Sequence, residues 1–158
     1  SYNNINNVSE NSTASDDLND NTTNDSDLVK QSFPQNGEIL SQASYNLNDA
    51  NTSYVKIITR GEQAHVIRIY YANSNKLLIS FFVRPGQTVE VPIPVGTYIL
   101  RFATGETWYG DDNLFGRDTI AQEAEGTTKF EVNEMWSFTL YPVSNGNLGT
   151  DYIDLEDF

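Results

Sequence analysis

The stretch from Val95 to Gly110 constrains the fold more than any other part of the chain. Gly96 and Thr97 open it as a tight turn. Tyr98, Leu100 and Phe102 then recur at every second position, the period that sets side chains on one face of a strand. The strand stops at Gly105. A loop follows that carries Trp108, Tyr109, Asp111, Asp112 and Phe115, the last within Leu114-Phe115-Gly116. This pattern predicts an all-β domain with an aromatic, acidic loop beside a strand end. No other segment concentrates site-like residues in this way.

Period two marks further strands. Tyr54 to Arg60 ends at Gly61, and His65 to Tyr71 ends at Asn73-Ser74-Asn75. Leu77 to Val83 is nearly all apolar, which predicts a central strand buried on both faces. Thr88 to Ile93 puts Val89, Val91 and Ile93 on one face, while Pro92 and Pro94 lack the N–H a central strand needs and place it at an edge. Thr127 to Val132 is short. Met135 to Val143 puts Trp136, Phe138 and Leu140 on one face. About seven strands at a spacing of about ten residues predict an antiparallel β-sandwich, immunoglobulin-like or prealbumin-like, or else a small barrel. Arg117 to Glu125 reads as a helix or as an extended crossing. Glu38 to Leu47 reads as a short lead-in strand.

The chain holds 158 residues with a net charge of -13, and the charge is unevenly placed. Residues 1–32 carry net -5, 33–52 carry -2, 53–143 carry -2 and 144–158 carry -4. The acidity therefore belongs to the ends. Residues 1–32 are rich in Asn, Ser, Thr and Asp, with Tyr2 as their one aromatic residue. They cannot bury enough apolar area to offset the entropy of ordering, and so predict a disordered acidic tether. Residues 33–52 are expected as linker or lead-in strand, 53–143 as the sandwich, and 144–158 as a C-terminal segment. Within the last, Tyr152 to Phe158 alternates apolar and acidic residues. It can add a strand to a sheet edge, of a neighbour or of its own domain.

The composition excludes several classes of chemistry. An acidic chain disfavours nucleic acid, whose binding rests on Lys and Arg neutralising phosphates. The absence of Cys removes disulfides, thiolate metal ligands and a Cys nucleophile. No run approaches the roughly 18 apolar residues of a membrane span. His65 is the sole histidine, which cannot build a His-based metal site. No nucleophile elbow accompanies it. Asp111/Asp112 and Glu123/Glu125 are paired carboxylates, but adjacent loop residues both stay solvated, unlike the two groups across a glycosidase cleft. Asp111, Asp112, Asn113 and Asp118 offer hard oxygens, without the spacing of an EF-hand loop. No catalytic residue, cofactor or metal site is therefore expected. The aromatic loop leaves two readings. Trp108, Tyr109 and Phe115 can stack on a sugar or cover a partner's apolar surface, or they can fold back and plug one open end of the sandwich.

Seven phrases of the central region share a pattern. They are Phe81-Phe82-Val83-Arg84, Gly86 to Val91, Gly96-Thr97-Tyr98, Arg101 to Gly105, Thr107 to Gly110, Leu114-Phe115-Gly116 and Thr139 to Val143, with Gly146-Asn147-Leu148 after them. In these phrases Ile57 to Val143 resembles a bacterial extracytoplasmic β-sandwich module with no assigned chemistry. The resemblance implies a domain placed after a membrane anchor and a polar linker, with no catalytic residues to carry over. The Gly96-Thr97-Tyr98 turn is also similar to those of prealbumin-like sandwiches, a likeness of architecture alone.

The expectation is a non-enzymatic interaction module of a bacterial cell envelope or surface, or a secreted one. Its partner would be a protein, with Trp108, Tyr109, Asp111, Asp112, Phe115 and Arg117 as the binding surface. An envelope glycan stacked on Trp108 and Tyr109 is the alternative ligand. A subunit of an extracellular filament, self-assembled by strand addition, is the other alternative. Membrane contact is expected only through an anchor outside this chain.

Overall fold

Alternation decides which face each strand buries, and the buried faces decide how the sheets stack. A computed structural model describes residues 25–142 and 150–158. Of the tether expected over residues 1–32, residues 1–24 lie outside the described residues, as does the segment 143–149. Ten strands are described: β1 (Ile39–Gln42), β2 (Thr52–Thr59), β3 (Ala64–Tyr71), β4 (Leu77–Val83), β5 (Thr88–Pro94), β6 (Gly96–Gly105), β7 (Ile120–Ala124), β8 (Thr128–Phe130), β9 (Met135–Leu140) and β10 (Thr150–Ile153). The protein is an all-β sandwich. Among the described residues, helical structure is limited to short 3-10 turns, and no helix is long and apolar enough to cross a membrane.

The small sheet has the order β5-β2-β9. Ser53, Val55, Ile57 and Thr59 of β2 are buried in strict alternation, opposite Ile93, Val91 and Val89 of β5. β5 is an edge, as its two prolines require. β2 and β9 run parallel, unlike the antiparallel pairs elsewhere. The two strands are far apart in sequence, so no hairpin fixes their relative direction. The large sheet has the order β1-β4-β3-β6-β7-β10. β8 shares one side of β6 with β7, pairing at Gly96–Tyr98 while β7 pairs at Arg101–Thr104.

The first core fills the space between the sheets, from Val55 and Ile57 to Ile67, Ile69, Phe81, Leu100 and Phe102. Tyr98 belongs to it, fully buried, with its hydroxyl donating to the Pro94 carbonyl at 2.7 Å. Burial pushes the Tyr98 phenol well above its ordinary pKa. Tyr98→Phe leaves that carbonyl short of one donor, and the expected loss is about 1 kcal/mol, read as a lower urea midpoint at unchanged slope.

A second core lies on the opposite face of the large sheet. Ala64, Val66, Phe82, Ala103 and Ala121 point outward there and are covered by Trp108, Leu114, Phe115 and Phe158. Phe33, Leu40 and Ile153 pack at its rim. The domain thus has a third layer made of irregular chain, which explains why β4 is apolar at nearly every position. Gln31, expected in the tether, instead donates its amide to the Trp108 carbonyl at 2.8 Å. Arg84 clamps the next residues, donating to the Pro34 carbonyl at 2.7 Å and the Phe33 carbonyl at 3.1 Å. The segment expected as helix or crossing is a 3-10 turn at Gly116–Asp118 followed by β7. The C-terminal segment adds β10 to β7 of its own domain.

Candidate functional site

Close approach of two segments of the chain shapes the loop after β6. Gly105 lies against Phe115 so tightly that an added Cβ would sit 2.2 Å from the Phe115 Cβ. Leu114 takes a positive φ of 52°, and its amide donates to the Gly110 carbonyl at 2.7 Å. Thr119 accepts from the Phe115 amide at 3.0 Å and donates to the Gly116 carbonyl at 2.6 Å. These bonds turn the loop back onto the large sheet. The Trp108 ring stands 5.1 Å from Phe82 and 5.3 Å from Phe115, centroid to centroid.

Two of the three aromatic residues of the expected contact face, Trp108 and Phe115, are therefore turned inward. Trp108 is 3% exposed and Phe115 2% exposed, because both rings cover the second core. Neither can stack on a sugar. They do not plug an open end either; they cover a sheet face. Asp111 and Asp112 are exposed, and Asp111 lies 3.6 Å from Arg68. The Arg68 guanidinium in turn sits over the Phe158 ring at 4.3 Å, so this acid helps to fasten the C-terminal segment.

The structure brings Tyr109, Phe115 and Arg117 to one cleft of about 520 Å³. Gln63, Glu106, Thr107, Asp118 and Thr119 share it. Trp108, Asp111 and Asp112 are not among the residues that line it. Glu106 and Asp118 are both exposed, and Tyr109 is half-buried. The cleft can offer hydrogen bonds, one cation and two carboxylates to a polar ligand. His65 stands outside its lining, buried on the neighbouring strand. Burial lowers its pKa to about 4, and its Nδ1 has no hydrogen-bond partner among the described residues. Among the described residues, no group of three or more His, Asp or Glu side chains is placed to hold a metal ion.

A third feature was not singled out in the sequence. Trp136, Phe138 and Leu140 share a face of β9, but their exposure falls along the strand, from 41% at Trp136 to 2% at Leu140. The Trp136 indole donates to the Lys129 carbonyl at 2.9 Å, and its ring stands 6.2 Å from Phe130. Val132 and Met135 are each 45% exposed, Met135 on the opposite face of β9 from Trp136. Beside Trp136 lies a shallow notch of about 600 Å³, lined by Val95, Gly96, Phe130 and Val132 among others. β9 pairs with β2 on one side, and among the described residues no strand pairs its other side. The readable signal was the run Met-Trp-Ser-Phe-Thr-Leu, an edge without charge or proline.

No protein-family model matches the chain, and no curated protein or solved structure matches it.

Proposed function

We propose that this domain is a non-enzymatic interaction module of a bacterial cell envelope or surface, and that it binds a protein partner. Val132 and Trp136, with Met135 on the opposite face of the same strand as Trp136, carry the reading, because these exposed apolar residues flank a strand edge beside a notch. Exposed apolar residues that stand together favour contact with a partner, whereas scattered ones need no explanation. A half-exposed Trp held at its indole N–H is a suitable anchor for such a contact. The extracytoplasmic setting rests on the resemblance carried by the phrases from Phe81 to Val143. A second reading, an envelope glycan as ligand, draws support from the polar cleft that holds Tyr109, Glu106, Arg117 and Asp118.

A photo-crosslinking residue at Met135 tests the first reading in the cells that make the protein. A discrete protein adduct is expected there and not at the exposed Asp112, in the loop that covers the outer face of the large sheet. Trp136→Ala should reduce the adduct by about tenfold or more, as loss of an anchor does. No adduct at Met135, or one indifferent to Trp136→Ala, removes the reading. A glycan that binds the isolated domain and is lost with Tyr109→Ala would favour the second.

A further inference from the structure

The free side of β9 has a defined hydrogen-bonding phase. The Tyr54 amide donates to the Glu134 carbonyl at 2.9 Å, and the Arg60 amide donates to the Leu140 carbonyl at 2.8 Å. In a parallel ladder with Tyr54 opposite Met135, these bonds commit Trp136, Phe138 and Leu140 to β2. Met135, Ser137 and Thr139 therefore turn their N–H and C=O groups away from β2. Three consecutive donor–acceptor sets face outward along an unbroken six-residue register.

The other outer strands are guarded, β8 by its length of three residues and by Lys129. β5 carries Pro92 and Pro94, β1 is four residues long with a break in register between Ile39 and Ser41, and β10 carries Asp151 with Asp154 directly after it. Charge, proline, brevity and irregularity are the usual means of keeping an edge from pairing. β9 has none of them.

We propose that β9 accepts an extended strand from a protein partner, paired edge to edge, and that this strand carries Lys or Arg near the Met135 end. The proposal rests on the protein-binding reading and specifies its chemistry. Backbone pairing supplies the register, and alternate side chains of the incoming strand meet Trp136 and Phe138 on one face and Met135 on the other. The charge follows from Glu134. Lys129 is paired with Glu131 at 3.4 Å, while Glu134 has no ion pair among the described residues. The same charge disfavours other occupants. A second copy brings another net charge of -13, which keeps copies apart. Residues 1–24 and 143–149 of this chain contain no Lys or Arg.

The full chain is titrated with two fluorescent peptides of about ten alternating Val and Thr residues, the length of a paired strand. One ends in two lysines and the other in two glutamates. The lysine peptide is expected to bind at least about tenfold more tightly, and added salt should narrow the gap. Ser137→Pro removes an outward N–H and spares the ladder to β2. It should weaken binding by about tenfold or more, whereas Ser137→Ala should not. N-methylation of alternate peptide amides repeats the test from the ligand side, should Ser137→Pro not fold. Equal binding of both peptides, binding of neither, or indifference to N-methylation overturns the proposal. So does a dimer of the chain alone that Ser137→Pro dissociates. If the Met135 crosslink persists in folded Ser137→Pro, protein binding stands and strand addition falls. Loss of the crosslink in every variant and in the parent chain takes down both.

Discussion

Trp108→Ala is expected to lower the unfolding free energy by about 3–5 kcal/mol, the cost of removing a large aromatic side chain from a packed core. Trp108 is almost fully buried and is one of three rings that meet over Phe82. Its backbone carbonyl also receives Gln31, so loss of the ring loosens the support of the segment that covers the second core. Against a typical total of about 5–15 kcal/mol, such a loss shifts the urea midpoint strongly and leaves a measurable unfolded fraction. Trp108→Phe keeps an aromatic contact and should cost less. A contact role would give the opposite pattern, with the midpoint unchanged and binding lost. An unchanged urea midpoint in Trp108→Ala would place the ring at the surface and restore the sugar-stacking reading.

The strands were legible because a strand with one buried face writes that face into the sequence every second residue. β2 and β5 show it most clearly, with Val55 and Ile57 opposite Val91 and Val89. Pro92 and Pro94 placed β5 at an edge by removing donors, a local property that needs no tertiary knowledge. The third layer was not legible in the same way. Its cover is the irregular chain around Phe33 and from Trp108 to Phe115, which has no period to read, although the nearly all-apolar run of β4 implies burial on both faces. The direction of β9 depends on a partner far away in sequence. Ile120–Ala124 contains good helix formers yet is a strand, because pairing with β6 and β10 on both sides overrides local preference.

The candidate sites divide along the same line. Aromatic residues in a loop fit either a contact surface or a fold-back plug, and the loop's return onto a sheet makes Trp108 and Phe115 core. The cleft gathers Gln63, Glu106 and Asp118 from separate turns, with no spacing to announce it. Trp136 was assigned correctly to the face it shares with Leu140. Alternation tells which way a side chain points and not how far the opposing layer extends. Near Trp136 that layer supplies the Phe130 ring, and Trp136 stays 41% exposed.

Acid should destabilise the fold through His65, by about 3 kcal/mol between neutral pH and pH 4. His65 is 2% exposed, opposite Val83 and Thr104 on its two neighbouring strands, and its Nδ1 meets no partner among the described residues. Burial of the cation is the main cause that lowers its pKa from 6.5 to about 4, against a smaller opposing effect of the Gln63 backbone. The folded chain thus holds His65 neutral, while the unfolded chain takes up a proton below about pH 6.5. The unfolded state binds more protons throughout that interval. The contribution is therefore complete above pH 6.5 and disappears as the pH falls towards 4. Carboxylates titrate in the same range and relieve the acidic self-repulsion of the chain, so the His65 part has to be isolated by difference. In His65→Gln the side chain has no proton to gain. The gap in unfolding free energy between parent and variant should shrink by about 3 kcal/mol from pH 7 to pH 4, measured by urea denaturation at each pH. A gap constant with pH would mean that His65 accepts its proton in place, with a partner or water at Nδ1, and that the end of β3 beside the cleft is open rather than sealed.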